Sequence, residues 1–223
     1  MLPARTDFQE LKARFHAAPA APRTGREPLF PTAIASLDAL LGGGLPCGSL
    51  VTLEGYGTAG VRSIAAALLA QATRTGLGAI IDGGELYPPS LEAAGVRLER
   101  LLIVPAGTPV RAARAADLLL RSRVARVVVM GAVTLHAAVW GRLASLAHKA
   151  GAVLVVLAVR AIVEISAAAT VCLSCRVARP VHTGTRGIWG VFTGFELQAE
   201  LRKHKFRNSL TPFVVNGLVG MVQ

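Results

Sequence analysis

Leu50-Val51-Thr52-Leu53-Glu54-Gly55-Tyr56-Gly57-Thr58-Ala59-Gly60-Val61-Arg62-Ser63 decides how this chain is read. An apolar run gives way to three glycines within six residues and then to Ile64-Ala65-Ala66-Ala67-Leu68-Leu69, which spells a strand, a tight turn and an Ala-rich helix. A phosphate loop sits at such a junction. Its motif, GxxxxGK[ST], works because backbone N–H groups cradle phosphates, the Lys reaches their outer oxygens, and the Ser/Thr hydroxyl holds Mg²⁺. Gly55 and Gly60 keep that spacing, but Val61 stands in the Lys position and Arg62 in the Ser/Thr position, with Ser63 one residue late. The nest and the helix N-terminus still suit an anion, so Gly55, Gly60, Arg62 and Ser63 form a vestigial nucleotide-binding set. The charge clamp and the metal ligand have no evident owner, and no catalytic residue is assigned.

Working outward, short apolar runs alternate with Ala-rich helical patterns, the signature of βαβ units and a parallel sheet. Strands are expected near 49–54, 78–82, 101–105, 126–130 and 152–158, and helices over 63–74, 88–94, 109–122 and 134–149. After residue 162 the pattern changes to period-two segments at 169–179, 195–205 and 213–217, which read as antiparallel strands extending the sheet. The fold class is therefore α/β, a mainly parallel twisted sheet with helices on both faces and C-terminal antiparallel strands. Residues 32–223 make this core. Residues 1–31 form an arm and linker whose one helical pattern places Phe8, Leu11 and Phe15 at i, i+3 and i+7, a docking face for a partner or for the core.

Composition excludes several classes. A hydrophobic content of 52% rules out a disordered chain, and no apolar run approaches the roughly 20 residues that cross a bilayer. No secretory signal opens the chain and three cysteines make no disulfide framework, so the cytoplasm is expected. A net charge of +11 favours an acidic partner, nucleic acid or protein, and weak salt-sensitive DNA binding is consistent with it. Cys172 and Cys175 form one CxxC with no second pair, and strand alternation puts them on opposite faces, so no metal is expected. His136 and His148 read as surface or capping residues, and Trp140 and Trp189 as core or interface anchors. Arg111, Arg114 and Arg121 with Asp117 read as a solvated helix face.

The other acidic positions agree with a lost site. The buried run Val127-Val128-Val129-Met130-Gly131 ends in Met and Gly where a phosphate-loop enzyme places a metal-holding carboxylate. Asp82 and Glu85 remain as candidate bases, with little to activate.

The order of these features resembles the RecA recombinase family. Leu37-Asp38-Ala39-Leu40-Leu41-Gly42-Gly43-Gly44-Leu45-Pro46-Cys47-Gly48 is similar to that family's LDxxLGxGGLPxG lead-in, one residue shorter. Ile81-Asp82-Gly83-Gly84-Glu85, with Pro89, Ala93, Gly95-Val96 and Leu101-Leu102, is similar to its second strand and helix. Lys203-His204-Lys205 with Pro212-Phe213 resembles its VKNKxxxPF segment, with a longer spacer. The resemblance spans residues 32–217. Its departures matter as much: the catalytic Glu falls at Gly84, the polar sensor at Val159, and both segments that form DNA-binding loops are short, 131–140 and 160–167. Strand exchange is not expected.

A RecA-like core with an N-terminal arm, a broken phosphate loop and shortened loops resembles the ImuA family of mutagenesis accessory proteins. That resemblance implies a role in the DNA-damage (SOS) response, promoting or regulating translesion synthesis. The implied partners are RecA, an ImuB-like inactive Y-family polymerase relative and an error-prone replicative-type polymerase. It requires no cofactor. The lysines of the resembling segment face a neighbouring protomer's nucleotide in RecA filaments, so Arg202, Lys203, Lys205 and Arg207 are the expected partner or DNA contacts, beside the solvated basic edge strand such a cluster also fits. Two alternatives stand: a SulA-like inhibitor of FtsZ, and a reduced RecA paralogue that still binds or hydrolyses nucleotide through Arg62 and Ser63.

Overall fold

The computed structural model describes residues 28–56, 60–81, 87–183, 191–206 and 214–220, with side chains described through 176 and again over 196–206. Phe8, Leu11, Phe15, Asp82, Gly84, Glu85 and Arg207 lie outside the described residues.

A two-stranded ribbon, β1 (Leu29–Phe30) with β2 (Leu45–Pro46), brackets helix α1 (Ala35–Leu41). Its glycines have a steric reason. Gly44 has φ 140°, and a Cβ there would lie 2.8 Å from the Phe30 carbonyl carbon, so only glycine lets the return strand approach. Gly42 ends α1 in the left-handed conformation, and Gly43 N–H donates to the Asp38 carbonyl at 2.7 Å. Asp38 Oδ1 in turn accepts from Thr32 N–H at 2.8 Å, fixing the entry to the core.

Among the described residues the main sheet has eight strands. Chain order gives β3 (Leu50–Glu54), α2 (Val61–Thr75), β4 (Leu77–Ile81), α3 (Pro88–Ala93), β5 (Leu101–Val104), α4 (Pro109–Ser122), β6 (Ala125–Gly131), α5 (Ala137–Ala150) and β7 (Val153–Ala158). Then follow α6 (Val163–Ala168), β8 (Val171–Thr183), β9 (Val191–His204) and β10 (Val214–Gly220). Across the sheet the order is β10-β9-β8-β3-β7-β6-β4-β5. From β8 to β5 neighbours are parallel, and β9 and β10 close the far side antiparallel.

Alternation along the strands loads two cores. Val51, Leu53, Val127, Val129, Val153, Val155 and Leu173 face α1, α2 and α3, meeting Leu37, Ile64, Leu68, Leu69 and Leu91. Leu50, Ile81, Val128, Met130, Leu154 and Val156 face α4, α5 and α6, meeting Ala116, Leu120, Trp140, Leu143 and Ile165. Strands buried on both faces read as continuous apolar runs, and these do. The alanines of α2 and α4, Ala65, Ala72, Ala112 and Ala116, are all within 1% of full burial because they let the helices lie close on the sheet.

One expectation needs correcting. The first period-two segment, read as antiparallel, runs parallel to β3 on one side and antiparallel only to β9 on the other. The cause is α6, a six-residue helix that begins within the short segment 160–167 and supplies the crossover that a parallel return requires.

Candidate functional site

The described residues on either side of the phosphate-loop turn keep the expected strand and helix start, while Val61 and Arg62 stand where the motif has Lys and Ser/Thr. Gly55 N–H donates to the Ala158 carbonyl at 2.9 Å, tying the end of β3 to the end of β7. Gly60 caps α2 at φ 76°, and Ile64 N–H donates to its carbonyl at 3.0 Å. Val61, in the Lys position, is 8% exposed and belongs to the core under α2. Arg62 and Ser63 are exposed on the first turn. Leu197 of β9 lies against the loop so closely that a Cβ on Gly60 would come within 2.5 Å of its Cδ2 and 3.0 Å of its Cγ. The strand ends follow suit: β6 finishes in buried Met130 and exposed Gly131, and Val159, in the sensor position beyond β7, is an exposed apolar side chain.

Beside this junction a cavity of about 660 Å³ opens outside the carboxyl ends of β3 and β7 and along the first residues of β8. β3 passes to a helix on one face and β7 to a helix on the other, which parts the chain there as open α/β sheets do at their ligand crevices. Glu54 lines it from the end of β3, Tyr56 from just beyond that strand, Arg160 from the turn after β7, Ser166 from α6, Arg176 from β8, and Arg202 and Lys203 from β9. Glu54 is 7% exposed and accepts from Thr52 Oγ1 at 3.1 Å. Arg176 Nε donates to Gln198 Oε1, and Arg202 Nε lies 3.5 Å from Glu200 Oε2.

The basic segment is arranged differently from simple alternation. Cys172 faces Lys203 and Leu173 faces Leu201, so Arg202 is an extra residue in β9, a bulge that turns Lys203 away from the face of Leu201. Arg202 and His204 therefore do not share an environment: Arg202 is exposed, whereas His204 is buried and its Nδ1 accepts from Phe206 N–H at 3.3 Å. Lys203 Nζ donates to the carbonyls of Ser166 at 2.7 Å and Ala167 at 3.2 Å, a cation on the negative end of α6. Lys205 lies past the strand end, exposed, with its N–H on the Thr170 carbonyl at 2.9 Å. The structure thus separates the two lysines: Lys203 pins α6, and Lys205 faces out.

Cys172 packs in the core under α4–α6 and Cys175 in the opposite core, as alternation requires. Burial, with the nearby Glu54 carboxylate adding to it, pushes the Cys175 thiol up to about 12, and burial raises Cys172 too. Among the described residues no group of three His, Cys, Asp or Glu is placed to hold a metal ion. His136 caps α5, its Nδ1 accepting from Ala138 N–H at 3.3 Å, and Trp140 is fully buried. On the α4 surface Asp117 meets Arg121 at 2.7 Å and Arg142 of α5 at 2.9 Å. Burial alone raises its pKa, but the hydrogen bonds and charges of both arginines outweigh that and hold it below the ordinary value.

The sequence profile of the MT3502 N-terminal domain matches residues 38–164, more than half of the chain. The chain belongs to the MT3502 N-terminal domain family. It is also 37% identical over 108 residues to RecA of Methylococcus capsulatus (strain ATCC 33009 / NCIMB 11132 / Bath), a stretch covering 47% of this chain and 31% of that protein. With RecA of Nostoc punctiforme (strain ATCC 29133 / PCC 73102) it shares 35% over 100 residues, 44% of this chain and 28% of that one. The match thus spans about a third of these relatives' length. The crystal structure of the RadB recombinase superposes with a TM-score of 0.64 at 18% identity, covering 84% of this chain and 96% of RadB, which identifies the fold as RecA-like.

Proposed function

We propose that this RecA-like protein works by binding other proteins in the response to DNA damage, docking on RecA and on translesion-polymerase partners rather than turning over ATP. The observation that carries this reading is Val61. The residue that should clamp the outer phosphates is an apolar side chain sunk in the core under α2. Supporting it, β6 ends in Met130-Gly131 without a carboxylate for Mg²⁺, and the exposed first-turn residues of α2 include no acid. The likeness to RecA supplies the kind of partner, because a RecA-like surface suits the end of a RecA filament, and the likeness to the ImuA family supplies the polymerases. The charge of +11 favours an acidic partner surface.

Lys205 and Arg202 are the outward cations of the segment assigned to partner contact. Titrating fluorescently labelled protein into RecA filaments on single-stranded DNA should give saturable binding that Lys205→Glu weakens at least tenfold. Lys203→Glu is the wrong variant, since it breaks the α6 contact. Absence of binding to RecA filaments at micromolar concentration would remove RecA from the partner set.

A further inference from the structure

The parallel strands all begin at the sheet edge opposite the phosphate-loop turn, and neither that turn nor the Lys205 contact uses it. β6, β4 and β5 lie side by side there. Five arginines stand around their first residues: Arg74 at the end of α2 ahead of β4, Arg97 and Arg100 ahead of β5, Arg123 ahead of β6, and Arg126 within it. Four are exposed and Arg100 is half-buried. Arg100 Nη1 donates to the Arg74 carbonyl at 3.2 Å and Arg126 Nη1 to Thr75 Oγ1 at 2.7 Å, so both guanidiniums lie on the C-terminal end of α2. A helix end carries only about half a negative charge. Among the described residues none of the five pairs with a carboxylate, so the chain leaves most of their charge uncompensated.

Two of these arginines occupy backbone positions that stability alone would not give them. Arg123 ends α4 at φ 55°, ψ 22°, the left-handed conformation that glycine takes at helix ends. Leu77 faces Ala125 while Gly78 faces Val127, so Arg126 is an extra residue in β6, and such a bulge re-aims a side chain. Gly76 leaves space for it: a Cβ there would come within 2.9 Å of Arg126 Cδ. Irregular backbone under two cations on one open edge points to a partner for those cations.

Guanidinium forks pair with carboxylates and with phosphates alike. Two features of this edge select the carboxylate. Glu99 stands exposed between Arg97 and Arg100 on one 3₁₀ turn, with no ion pair among the described residues, and a polymer of uniform negative charge would be repelled by it. A polypeptide can set a neutral or basic side chain there. The segments 71–79, 94–104 and 122–128 that build the edge hold no aromatic residue on which a base could stack. Three strand starts span about 10 Å, the length of about three residues of extended chain. We propose that this edge docks an acidic polypeptide segment of a partner protein, with its carboxylates on Arg100, Arg123 and Arg126. The inference rests on the protein-binding reading for the class of partner, but not on RecA or on Lys205.

Fluorescence anisotropy of the full chain with a labelled peptide of alternating glutamate and alanine, and with labelled duplex DNA, tests it at physiological ionic strength. The peptide should bind saturably. Arg100→Glu and Arg126→Glu should each weaken it about tenfold, and Arg126→Ala, which adds no negative charge, about threefold. Arg114→Glu, the same charge change at an exposed position of α4, should weaken it less than about twofold. Arg123→Gly should weaken the peptide about threefold while raising the urea midpoint, because it removes the cation and relieves the left-handed residue. Duplex DNA affinity should change no more with Arg126→Glu than with Arg114→Glu. Thermal unfolding verifies that each variant is folded. The proposal is overturned if the peptide shows no saturable binding, or if Arg126→Glu weakens it no more than Arg114→Glu does. It is overturned too if Arg126→Glu costs duplex DNA more than it costs the peptide, which would make the edge a nucleic-acid site. Failure to bind RecA filaments leaves all of these outcomes unchanged.

Discussion

Gly60→Ala probes the seam between the phosphate-loop turn and the C-terminal strands. Two costs add. Gly60 sits at φ 76°, where an L-residue costs about 1–2 kcal/mol. The new methyl would also meet Leu197 at 2.5 Å from Cδ2, and forcing an extra carbon into a packed contact costs about 1–3 kcal/mol. Together the variant should lose about 2–5 kcal/mol. Leu197→Ala alone should lose about 2–5 kcal/mol, because Leu197 is 6% exposed and belongs to the core. In the double variant the steric cost disappears and only the dihedral cost of the alanine at position 60 remains. Urea unfolding of the four proteins should therefore show a favourable coupling of about 1–3 kcal/mol. If Gly60→Ala cost under about 1 kcal/mol, or the two changes added within about 0.5 kcal/mol, β9 would not pack on the turn as described.

Two further outcomes follow from the charges and thiols. Asp117→Asn should lower stability by less than about 1 kcal/mol, since both arginine partners are largely exposed. Its folded-state pKa is depressed, so the contribution is full above the ordinary Asp value and vanishes as pH falls through the lowered one. Wild-type and variant unfolding curves should differ at pH 7 and converge in acid. Thiol labelling at pH 8 should modify Cys47, which is partly exposed, well before Cys172 and Cys175; equal rates for all three would contradict the two-core packing.

The parallel core was legible because strands buried on both faces write uninterrupted apolar runs. Val127 to Met130 and Val153 to Val156 are such runs, and the helices between them begin and end within a few residues of their patterns. The missing Lys was legible as Val61, since a motif fixes its own spacing. What was not legible depends on distant partners. Six residues of α6 carry too few turns for a period, and a bulge at Arg202 leaves no mark in the composition of β9. The cavity combines Glu54, Arg160, Ser166 and Arg202 from four separate elements, so no spacing announces it. Lys203 looked like a surface cation until α6 supplied the carbonyls it binds.

We propose a phosphate loop that has lost its chemistry, on a RecA-like body that serves as a binding surface. ATP hydrolysis in the presence of single-stranded DNA, with this protein alone and then with RecA from the same organism, tests that most directly. No turnover by the protein alone is expected, together with a change in RecA turnover that scales with its concentration. Turnover by the protein alone, abolished by Ser63→Ala or Glu85→Gln, would contradict it.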